Sequence, residues 1–548
     1  MSISKEEAKK HAYKKAVTCC KIEKGKVIQA SDLEDPTVLP ALESSGLLKM
    51  EENSLKIGQV IGAKLLESID SLTPLTRDIL DGVKELDSKE EAKDSKEEEY
   101  KKDLKVETDR KIVEKTMRKL QRKHFKIEEV KLGDKTKIEG GVLTIRENII
   151  EEAISREDLV VDMDIDIITP DRYAEYSETI MDIQPIATKE KGGLGEGVTR
   201  VLDGVVVMVT GVDEDGVQIG EFGSSEGSMK KNICWGRPGS PDKGEVIIRS
   251  KVTIKSGKGM ERPGPMAAHN VTDIVVREIR EELKNTDEKL ISETEDLIEK
   301  RKLGKPKVVV VKEIMGQGAM HDNYLFPNEP VGIVGAKANV DLGNVPVVAS
   351  PLQVLDGCVH ALTCIGPASK ETSRHYFREP LVMEAMNDEE VDLAGIIFVG
   401  SPQANAEKFY VSKLLGMTIE AMDLDGAIVT TEGFGNNHID FASHIEEIGS
   451  RGIPVVGVTF SGVQGQLVAG NKYMDAMVDN NKSSLGIEDE VLSKNCHTRE
   501  DAIRALFMLK SKMSGVGIVE SDVEWSFNAK RNNTEKIEKK IGKKIKKN

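Results

Sequence analysis

The sequence has few cysteines and no long apolar run, and each absence excludes a class of protein. Its six cysteines lie at wide, irregular spacing, which argues against the dense disulfide framework of small secreted domains. No run approaches the roughly 18 apolar residues that a membrane-spanning helix needs, so no span is expected. The start, MSISKEEAKKHAYKKAV, lacks the apolar core of a secretion signal. These absences together predict a cytoplasmic protein.

Metal-ligand spacing and excess positive charge are also missing. The sequence contains no C-x-x-C, Cys358 and His360 are two residues apart, and Cys496 and His497 are adjacent, so no metal site is predicted. The 94 acidic residues outnumber the 78 basic ones and give a net charge of −16. This charge argues against a general nucleic-acid or anionic-membrane binder, because the global field repels phosphate.

Glycine-rich segments are candidates for phosphate cradles, and the sequence offers GGLGEG at 192–197. Its spacing differs from the dinucleotide fingerprint, and the segment precedes a strand pattern instead of a helix. We therefore predict no nucleotide cofactor.

What the sequence does contain is a series of shifts in composition. They predict an α/β and α+β multidomain protein with parallel α/β layers at its C-terminal end. The regions are a small mixed N-terminal domain over 1–85, a charged linker over 86–135, a β-rich domain over 136–260, a helix with an α/β segment over 261–363, and a C-terminal α/β chain over 364–548.

The linker is rich in Lys and Glu, as in ELDSKEEAKDSKEEEYKKDLK, which is typical of a disordered or solvated helical segment. A docking arm is the alternative for its later part, where Met117 and Leu120 belong to an apolar stripe. In the β-rich domain β-branched runs recur, and the acidic, glycine-ending segment from Asp213 to Gly216 predicts a hairpin turn.

The C-terminal half alternates apolar strands with helices. HNVTDIVVREIREELKN has helical spacing, whereas KPKVVVVKEI, DLAGIIFVG, DGAIVTT and IPVVGVTF are typical of buried parallel strands. Ligands of such sheets bind beyond the carboxyl ends of the strands. This rule nominates the loops at 316–323, 400–405 and 431–438.

One of these loops, TTEGFGNNH at 430–438, leaves an apolar strand and enters a helix pattern. Backbone N–H groups at a helix N-terminus bind anions, so the loop is a candidate site for a substrate carboxylate. Its candidate substrate-binding residues are Gly433, Gly435, Asn436 and His438. A tight turn in which Asn caps the helix is the alternative.

The segment LDGCVHALTCIGP at 355–367 contains a candidate self-processing cysteine. A cysteine that follows a strained carbonyl can attack it, and β-elimination from the thioester then leaves dehydroalanine, which hydrolyses to a pyruvoyl group. Thr363 and Cys364 form such a pair, although Thr18 and Cys19 form another. His360 is a candidate proton carrier for the cleavage, with a hydrogen-bonded packing histidine as the alternative.

Three segments resemble the pyruvoyl-forming proprotein subunits of the D-proline reductases, which work with a selenoprotein in the Stickland reaction of amino-acid-fermenting bacteria. They are DGCVHALTCIGPASKETSRHYFREPL, CCKIEKGKVIQASDLEDPTVLPALESSGLL and SLKIGQVIGAKLL. Similar pyruvoyl subunits serve glycine, sarcosine and betaine reductases. The resemblance covers most of the chain outside the linker, and DGCVHALTC is far more specific than a Thr-Cys pair.

The resemblance implies autocatalytic cleavage between Thr363 and Cys364. The products are a chain of 363 residues and a chain of the remaining 185 residues. The second chain begins with a covalent pyruvoyl group derived from Cys364, which is then the catalytic and cofactor-bearing residue.

The resemblance also implies an oxidoreductase, a subunit of D-proline reductase (dithiol). The proline amine adds to the pyruvoyl ketone with loss of water, a partner selenolate displaces nitrogen from the α-carbon, and a thiol helps to release 5-aminovalerate. The loop at 431–438 has neither Cys nor selenocysteine. We therefore expect a hetero-oligomer of the two cleaved chains with a separate selenoprotein.

Two other interpretations stay open. One keeps the pyruvoyl chemistry but reduces glycine, sarcosine or betaine. The other is a non-catalytic scaffold homologue, against which the retained Thr363–Cys364 pair argues.

Two arginines and two cysteines complete the candidates. Arg374 and Arg378 follow the expected new N-terminus, and arginine is suited to bidentate carboxylate binding, so both are candidate substrate ligands. Pairing with Glu371 and Glu379 is the competing explanation. Cys19–Cys20 is either a redox pair or packing, and packing is favoured because a disulfide between neighbours is strained.

Overall fold

A computed structural model gives the fold of this chain. It describes residues 113–219, 226–258, 263–314, 345–359, 371–402, 404–431, 437–460, 469–482 and 491–515, with the backbone of 324–325 and 340–341. Nearly all of them belong to one unit, formed by 114–465 with 473–548. The predicted N-terminal domain and the Cys19–Cys20 pair lie outside the described residues.

The first half of the described chain is mostly β-structure. Its strands are β1 (Val113–Lys126), β2 (Glu129–Gly133), β3 (Lys137–Glu139), β4 (Val142–Arg146), β5 (Val160–Ile168), β6 (Tyr176–Ser177), β7 (Ile180–Gln184), β8 (Ala187–Lys191), β9 (Gly197–Asp203), β10 (Val205–Asp213), β11 (Gly227–Ser228), β12 (Val246–Ile254) and β13 (Ile291–Leu303). Its helices are α1 (Ile149–Ile154), α2 (Met229–Asn232) and α3 (Pro263–Lys284).

These strands form two four-stranded mixed sheets, in the orders β13-β1-β9-β8 and β5-β12-β10-β7, and a smaller sheet β2-β4-β3. Strands β1 and β9 are parallel, as are β10 and β12, whereas β8 with β9 and β5 with β12 are antiparallel. The long helix α3 buries Val275, Ile279 and Leu283 in a core shared with these sheets. The helical spacing of this segment therefore predicted the helix.

The linker prediction is wrong over its later part. Residues 113–126 form β1, in which Leu120 and Phe125 are buried, and β2 follows almost at once. The segment is full of charge, and its first seven residues are exposed or partly exposed, whereas Leu120, Arg122 and Phe125 are buried in its second half. Met117 is 42% exposed, so the apolar stripe proposed for a docking arm is split between the two faces of the strand.

The predicted turn from Asp213 to Gly216 is confirmed. The N–H of Gly216 donates to the carbonyl of Asp213 at 2.9 Å, and the Asp213 carboxylate accepts from the N–H groups of Asp215 and Val217. Gly216 has a φ of 78°, a conformation that glycine adopts without steric cost. The turn closes a short antiparallel pairing after β10.

The second half supplies the α/β layers. Its strands are β14 (Lys307–Ile314), β15 (Tyr324–Leu325), β16 (Val340–Asp341), β17 (Val347–Ala349), β18 (Asp392–Gly400), β19 (Gly426–Thr431), β20 (Val455–Thr459) and β21 (Met477–Asp479). Its helices are α4 (Pro351–Leu355), α5 (Ser373–Phe377), α6 (Pro380–Asn387), α7 (Asn405–Ala421), α8 (Asn437–Gly449) and α9 (Arg499–Met513).

Six of these strands form one sheet in the order β17-β18-β14-β19-β20-β21. Every neighbouring pair is parallel except β17 with β18. The predicted parallel C-terminal sheet is thus confirmed, with one antiparallel edge strand added. Helices α7 and α8 pack together on one side, while α6 packs against α9, which contacts β19, β20 and β21. Covering both faces explains why these strands are almost continuously apolar.

The predicted boundary at 363/364 does not separate two folding units. Strand β14 comes from the earlier region, yet it lies between β18 and β19 of the later one. The sheet therefore needs residues from both sides of the boundary. Among the described helices, none is long and apolar enough to cross a bilayer.

Candidate functional site

The carboxyl ends of three adjacent strands define the candidate site. Glu313 of β14 is in register with Val399 of β18 and with Thr431 of β19, so the parallel strands end side by side. The order of strands reverses around β14, because the chain continues first to one side and then to the other. Such a switch point is where open α/β sheets bind ligands. The nominated loops at 316–323, 400–405 and 431–438 all follow these strand ends.

A buried ionic cluster lies on one side of β14, and we call it the Lys312 cluster (Lys312, Glu371, His375, Glu379, His497). The Nζ of Lys312 donates to Glu371 Oε1 at 2.8 Å and to Glu379 Oε1 at 2.7 Å. His375 Nε2 and His497 Nε2 lie 3.0 and 3.1 Å from the same Glu371 oxygen. All five side chains are buried, so every charge must be balanced inside the protein.

The pKa values in this cluster show how the balance is reached. Burial would lower the pKa of Lys312, but Glu371 and Glu379 outweigh it and raise that pKa. The pKa of His375 is likewise raised against burial, mainly by Glu371. Burial lowers the pKa of His497 to about 4. At neutral pH the cluster therefore holds two cations, two carboxylates and one neutral imidazole.

Ligand atoms of Glu371, His375 and Glu379 lie within 4.8 Å of one another, close enough to be considered for a metal. The two carboxylates, however, already share the ammonium of Lys312. A divalent cation would have to displace this buried charge. We therefore assign no metal to the cluster.

A second buried cluster lies on the other side of β14, and we call it the Glu313 cluster (Glu313, Ser401, Lys408, Asp440, His444). Ser401 Oγ donates to Asp440 Oδ2 at 2.6 Å, and Lys408 pairs with the same carboxylate. His444 Nε2 lies 3.8 Å from Glu313 Oε2. Successive residues of a strand point to opposite faces, so Lys312 and Glu313 reach different clusters.

Hydrogen bonds from the strand ends complete this second cluster. Thr431 Oγ1 donates to Glu313 Oε1 at 3.0 Å, and Asn437 Nδ2 donates to Ser401 Oγ at 3.0 Å. Burial and the nearby Asp440 raise the pKa of Glu313 well above its usual value. Burial also raises the pKa of Asp440 to about 6, against the effect of Lys408. Burial therefore favours the protonated form of Glu313 at the end of the central strand.

His438 is the predicted loop residue that the structure describes. Its ring is buried, its Nε2 lies 3.1 Å from Thr459 Oγ1, and it makes an edge contact with Phe441. Burial lowers its pKa to about 4, so the imidazole is neutral. Through the contact with Thr459, His438 of α8 packs against the end of β20. Its role in substrate binding stays a prediction.

The two predicted arginines pair with carboxylates other than those expected. Both terminal nitrogens of Arg374 donate to Glu245 at 2.6 Å, and Arg378 pairs with Asp242 at 2.9 Å. The suggested pairing with Glu371 and Glu379 is therefore wrong for the two arginines, whereas His375 between them does pair with both carboxylates, which Lys312 shares. The error arose because Glu245 and Asp242 lie in a turn before β12, more than 120 residues before the arginines in the sequence.

Arg374 and Arg378 also contribute to the wall of a cavity of about 270 Å³. Arg122, His124, Asp203 and Glu295 are among its other lining residues. His124 Nδ1 lies 3.0 Å from Asp203, and Arg122 lies 3.1 Å from Glu295. Cations and carboxylates thus alternate in this wall and largely neutralise each other.

Several predicted residues lie outside the described part of the chain. They are His360, Thr363, Cys364, Gly433, Gly435 and Asn436. The described chain ends at Val359 before the predicted cleavage bond and resumes at Glu371 after it.

The described cysteines are buried or partly buried. Cys358 is fully buried, and burial raises the pKa of its thiol, which disfavours the thiolate needed for nucleophilic chemistry. Cys496 donates to the carbonyl of Ser493 at 3.1 Å, and Cys234 is partly buried. Cys358 is thus a poor candidate for an internal reductant.

Sequence reasoning named Glu371 and Glu379 only as possible partners of the arginines and did not predict the two clusters. The available signal was the Lys-Glu pair that ends the otherwise apolar strand KVVVVKEI. Adjacent opposite charges inside a buried strand require partners on both faces. The identity of those partners depends on tertiary packing.

The sequence is similar to those of known proteins. The family model for glycine/sarcosine/betaine reductase component B subunits matches residues 117–492. The chain belongs to this family.

Among its curated relatives, the D-proline reductase proprotein PrdA of Acetoanaerobium sticklandii is 55% identical across 100% of this chain and 96% of its own length. The glycine reductase complex component B subunits alpha and beta of the same organism are 24% identical across 69% of this chain and 88% of theirs. The sarcosine reductase complex component B subunit alpha of Peptoclostridium acidaminophilum is 25% identical across 61% of this chain and 77% of its own. No solved structure matches the chain.

Proposed function

We propose that this chain is the proprotein of a pyruvoyl-dependent D-proline reductase subunit and that it cleaves itself between Thr363 and Cys364. The observation that carries the proposal is its 55% identity, over the whole chain, to a D-proline reductase proprotein. Relatives named for glycine and sarcosine reductases are only 24% and 25% identical and cover 69% and 61% of the chain.

The cleavage uses groups of the chain itself. The Cys364 thiol adds to the Thr363 carbonyl carbon, and the peptide nitrogen leaves as an amine while a thioester forms. β-Elimination breaks the Cβ–S bond, so Thr363 departs as a thiocarboxylate and residue 364 becomes dehydroalanine. Tautomerisation gives an imine, and water hydrolyses it to the ketone with release of ammonia.

The described flanks of the cleavage segment support this proposal. Cys358 and Val359 are buried where the chain enters residues 360–370, and Glu371 is bonded to Lys312 where it leaves. Fixed ends limit the conformations that a segment samples. An intramolecular attack gains most of its rate from such restriction.

The pyruvoyl group supplies a ketone electrophile for the secondary amine of D-proline. For the substrate carboxylate we propose the loop at 431–438, with Gly433, Gly435, Asn436 and His438, because it leads into the N-terminus of α8 at Asn437. Between the two candidate arginines we favour Arg378, whose side chain is 35% exposed. Glu245 already occupies both terminal nitrogens of Arg374.

The reductant in this proposal is the selenol of a separate selenoprotein subunit. The raised pKa of buried Cys358 supports an external source, because a thiol held protonated is a weak nucleophile. The resulting enzyme contains the two cleaved chains and the selenoprotein.

A reconstituted assay tests the proposal. With the selenoprotein partner and excess dithiol, the cleaved protein should convert D-proline to 5-aminovalerate, and it should make none without the partner. Turnover of glycine, sarcosine or betaine in place of D-proline would favour the alternative substrates. A chain that stays uncut and inactive with every substrate would favour a scaffold homologue, and turnover without the partner would make an internal thiol the reductant.

A further inference from the structure

Asp356 lies in the segment that leads to the predicted cleavage bond, and its carboxylate is held by residues far away in sequence. The carboxylate is fully buried. It accepts hydrogen bonds from the N–H of Gly195 and from Thr199 Oγ1, both at 2.7 Å, and it forms an ion pair with Lys189. The three donors belong to the hairpin formed by β8 and β9. We call these four residues the Asp356 clamp.

The glycine-rich segment of this hairpin explains how the backbone approaches so closely. Gly195 has a φ of +79°, and a Cβ atom at this position would lie 2.8 Å from the backbone nitrogen of Gln353. Only glycine tolerates both conditions. GGLGEG, whose spacing ruled out a phosphate cradle, thus lets the hairpin approach the backbone of α4 just before the cleavage segment.

A second contact bridges the two sides of the predicted bond. The guanidinium of Arg122 is buried and donates to the carbonyl of Leu355 and, at 2.8 Å, to the carbonyl of Phe377. It also lies 4.0 Å from the centre of the Phe377 ring. Leu355 precedes the Thr363–Cys364 bond and Phe377 follows it, so one side chain fixes both flanks.

We propose that the Asp356 clamp and Arg122 are positioning residues for self-cleavage, which hold the flanks so that the Cys364 thiol meets the Thr363 carbonyl. This inference rests on the proposed self-cleavage. Their contacts involve the described backbone before and after residues 360–370, and none of them supplies a reacting atom. Misplacing the reacting groups by about 1 Å is enough to cost roughly 100-fold in rate.

The competing explanation is that the clamp only stabilises the fold. A comparable buried carboxylate elsewhere in the chain serves as a control that distinguishes this explanation from a positioning role. Asp392 is 2% exposed, pairs with Arg301 at 2.7 Å and accepts from the N–H of Lys302 at 2.8 Å. It begins β18, at the opposite end of the sheet from the candidate site. Asp392→Asn therefore removes a comparable buried charge away from the cleavage segment.

The test follows cleavage of the full chain after a short pulse of labelled cell-free translation, by denaturing gel and intact mass. Asp356→Asn, Gly195→Ala and Arg122→Met should lengthen the half-time of cleavage about tenfold or more relative to wild type. Asp392→Asn should stay within about twofold. Lys189→Arg, which keeps the charge opposite Asp356, should cleave faster than Lys189→Met.

Thermal unfolding of each substitution in an uncleavable Cys364→Ala background measures its effect on the fold alone. The proposal predicts that Asp356→Asn and Asp392→Asn have similar midpoints but different cleavage rates. It is overturned if cleavage slows only in proportion to lost stability, or if the clamp variants cleave at the wild-type rate. A wild-type chain that never cleaves would overturn self-cleavage itself, and the clamp with it.

Discussion

Lys312 and Glu313 are neighbours on the central strand β14, yet each side chain belongs to a different buried cluster. Lys312 joins Glu371 and Glu379 on one side of the sheet, and Glu313 accepts from Thr431 on the other. Strand β14 contributes one residue to each cluster. They place charged chemistry on both faces of the sheet at the edge where α/β proteins bind ligands.

The first prediction concerns the Lys312 cluster. Lys312→Met should lower the free energy of unfolding by about 3–5 kcal/mol, because it leaves two buried carboxylates without their shared cation. Urea unfolding of the purified protein measures this change. Lys300→Met is the control, since Lys300 pairs with Glu114 at the surface and its loss should matter little. Equal effects of the two substitutions would show that the buried cluster contributes no special stability.

Two histidines should affect the pH dependence of stability with opposite signs. Burial lowers the folded pKa of His438 to about 4 from 6.5, so its contribution is present above 6.5 and is lost as pH falls towards 4. The pKa of His124 is raised to about 9, since Asp203 and Glu295 outweigh burial. Its contribution is present below 6.5 and is lost as pH rises towards 9.

Unfolding of His438→Gln and His124→Gln at several pH values tests these signs. His438→Gln should flatten the loss of stability between pH 6.5 and 4 by up to about 1.4 kcal/mol per pH unit. His124→Gln should reduce the loss of folding stability that occurs as pH rises from 6.5 to 9. Both variants altering the same pH range would contradict the assigned protonation states.

The two cleaved chains should depend on each other to fold. A polypeptide of residues 364–548 alone lacks β14, which lies between β18 and β19, and would expose two unpaired strand edges. We expect it to be insoluble when expressed alone and soluble when coexpressed with residues 1–363. A monomeric, cooperatively unfolding 364–548 chain would contradict the shared sheet.

The substrate loop can be separated from processing. Gly435→Val should obstruct backbone approach to the substrate and reduce D-proline turnover by at least about tenfold, while cleavage at Thr363–Cys364 continues. Gly452→Val is the control, because Gly452 lies outside the nominated loops and nothing lies within 4 Å of its Cβ position. Gly435→Val with wild-type kinetics would remove the loop from the active site.

Local sequence patterns predicted those strands and helices that consist of closely spaced apolar residues. Apolar runs such as Val308–Val311 identified the parallel strands, and helical spacing identified α3. Strand β1 was missed because its solvent-facing positions are mostly charged, which made the segment look like a linker. Its buried residues, such as Leu120 and Phe125, are too widely spaced to form an apolar run.

The candidate site was only partly predictable for the same reason. The strands that precede the nominated loops, β14, β18 and β19, end side by side, as the rule about strand ends expected, and the role of the loops themselves stays a prediction. Arg374, in contrast, pairs with Glu245, which lies 129 residues earlier, and Asp356 is held by a hairpin more than 150 residues before it. Contacts between residues so distant depend on how complete sheets pack.

Intact mass of the wild-type protein and of Cys364→Ala tests the central claim most directly. Wild type should give two chains that break between Thr363 and Cys364, with a carbonyl-reactive group at the new N-terminus. Cys364→Ala should give one uncut chain without such labelling, because alanine has no sulfur to attack Thr363, while the control Cys234→Ala should cleave normally. A Cys364→Ala chain that still breaks at this bond, or a wild-type chain that stays whole, would contradict autocatalytic pyruvoyl formation.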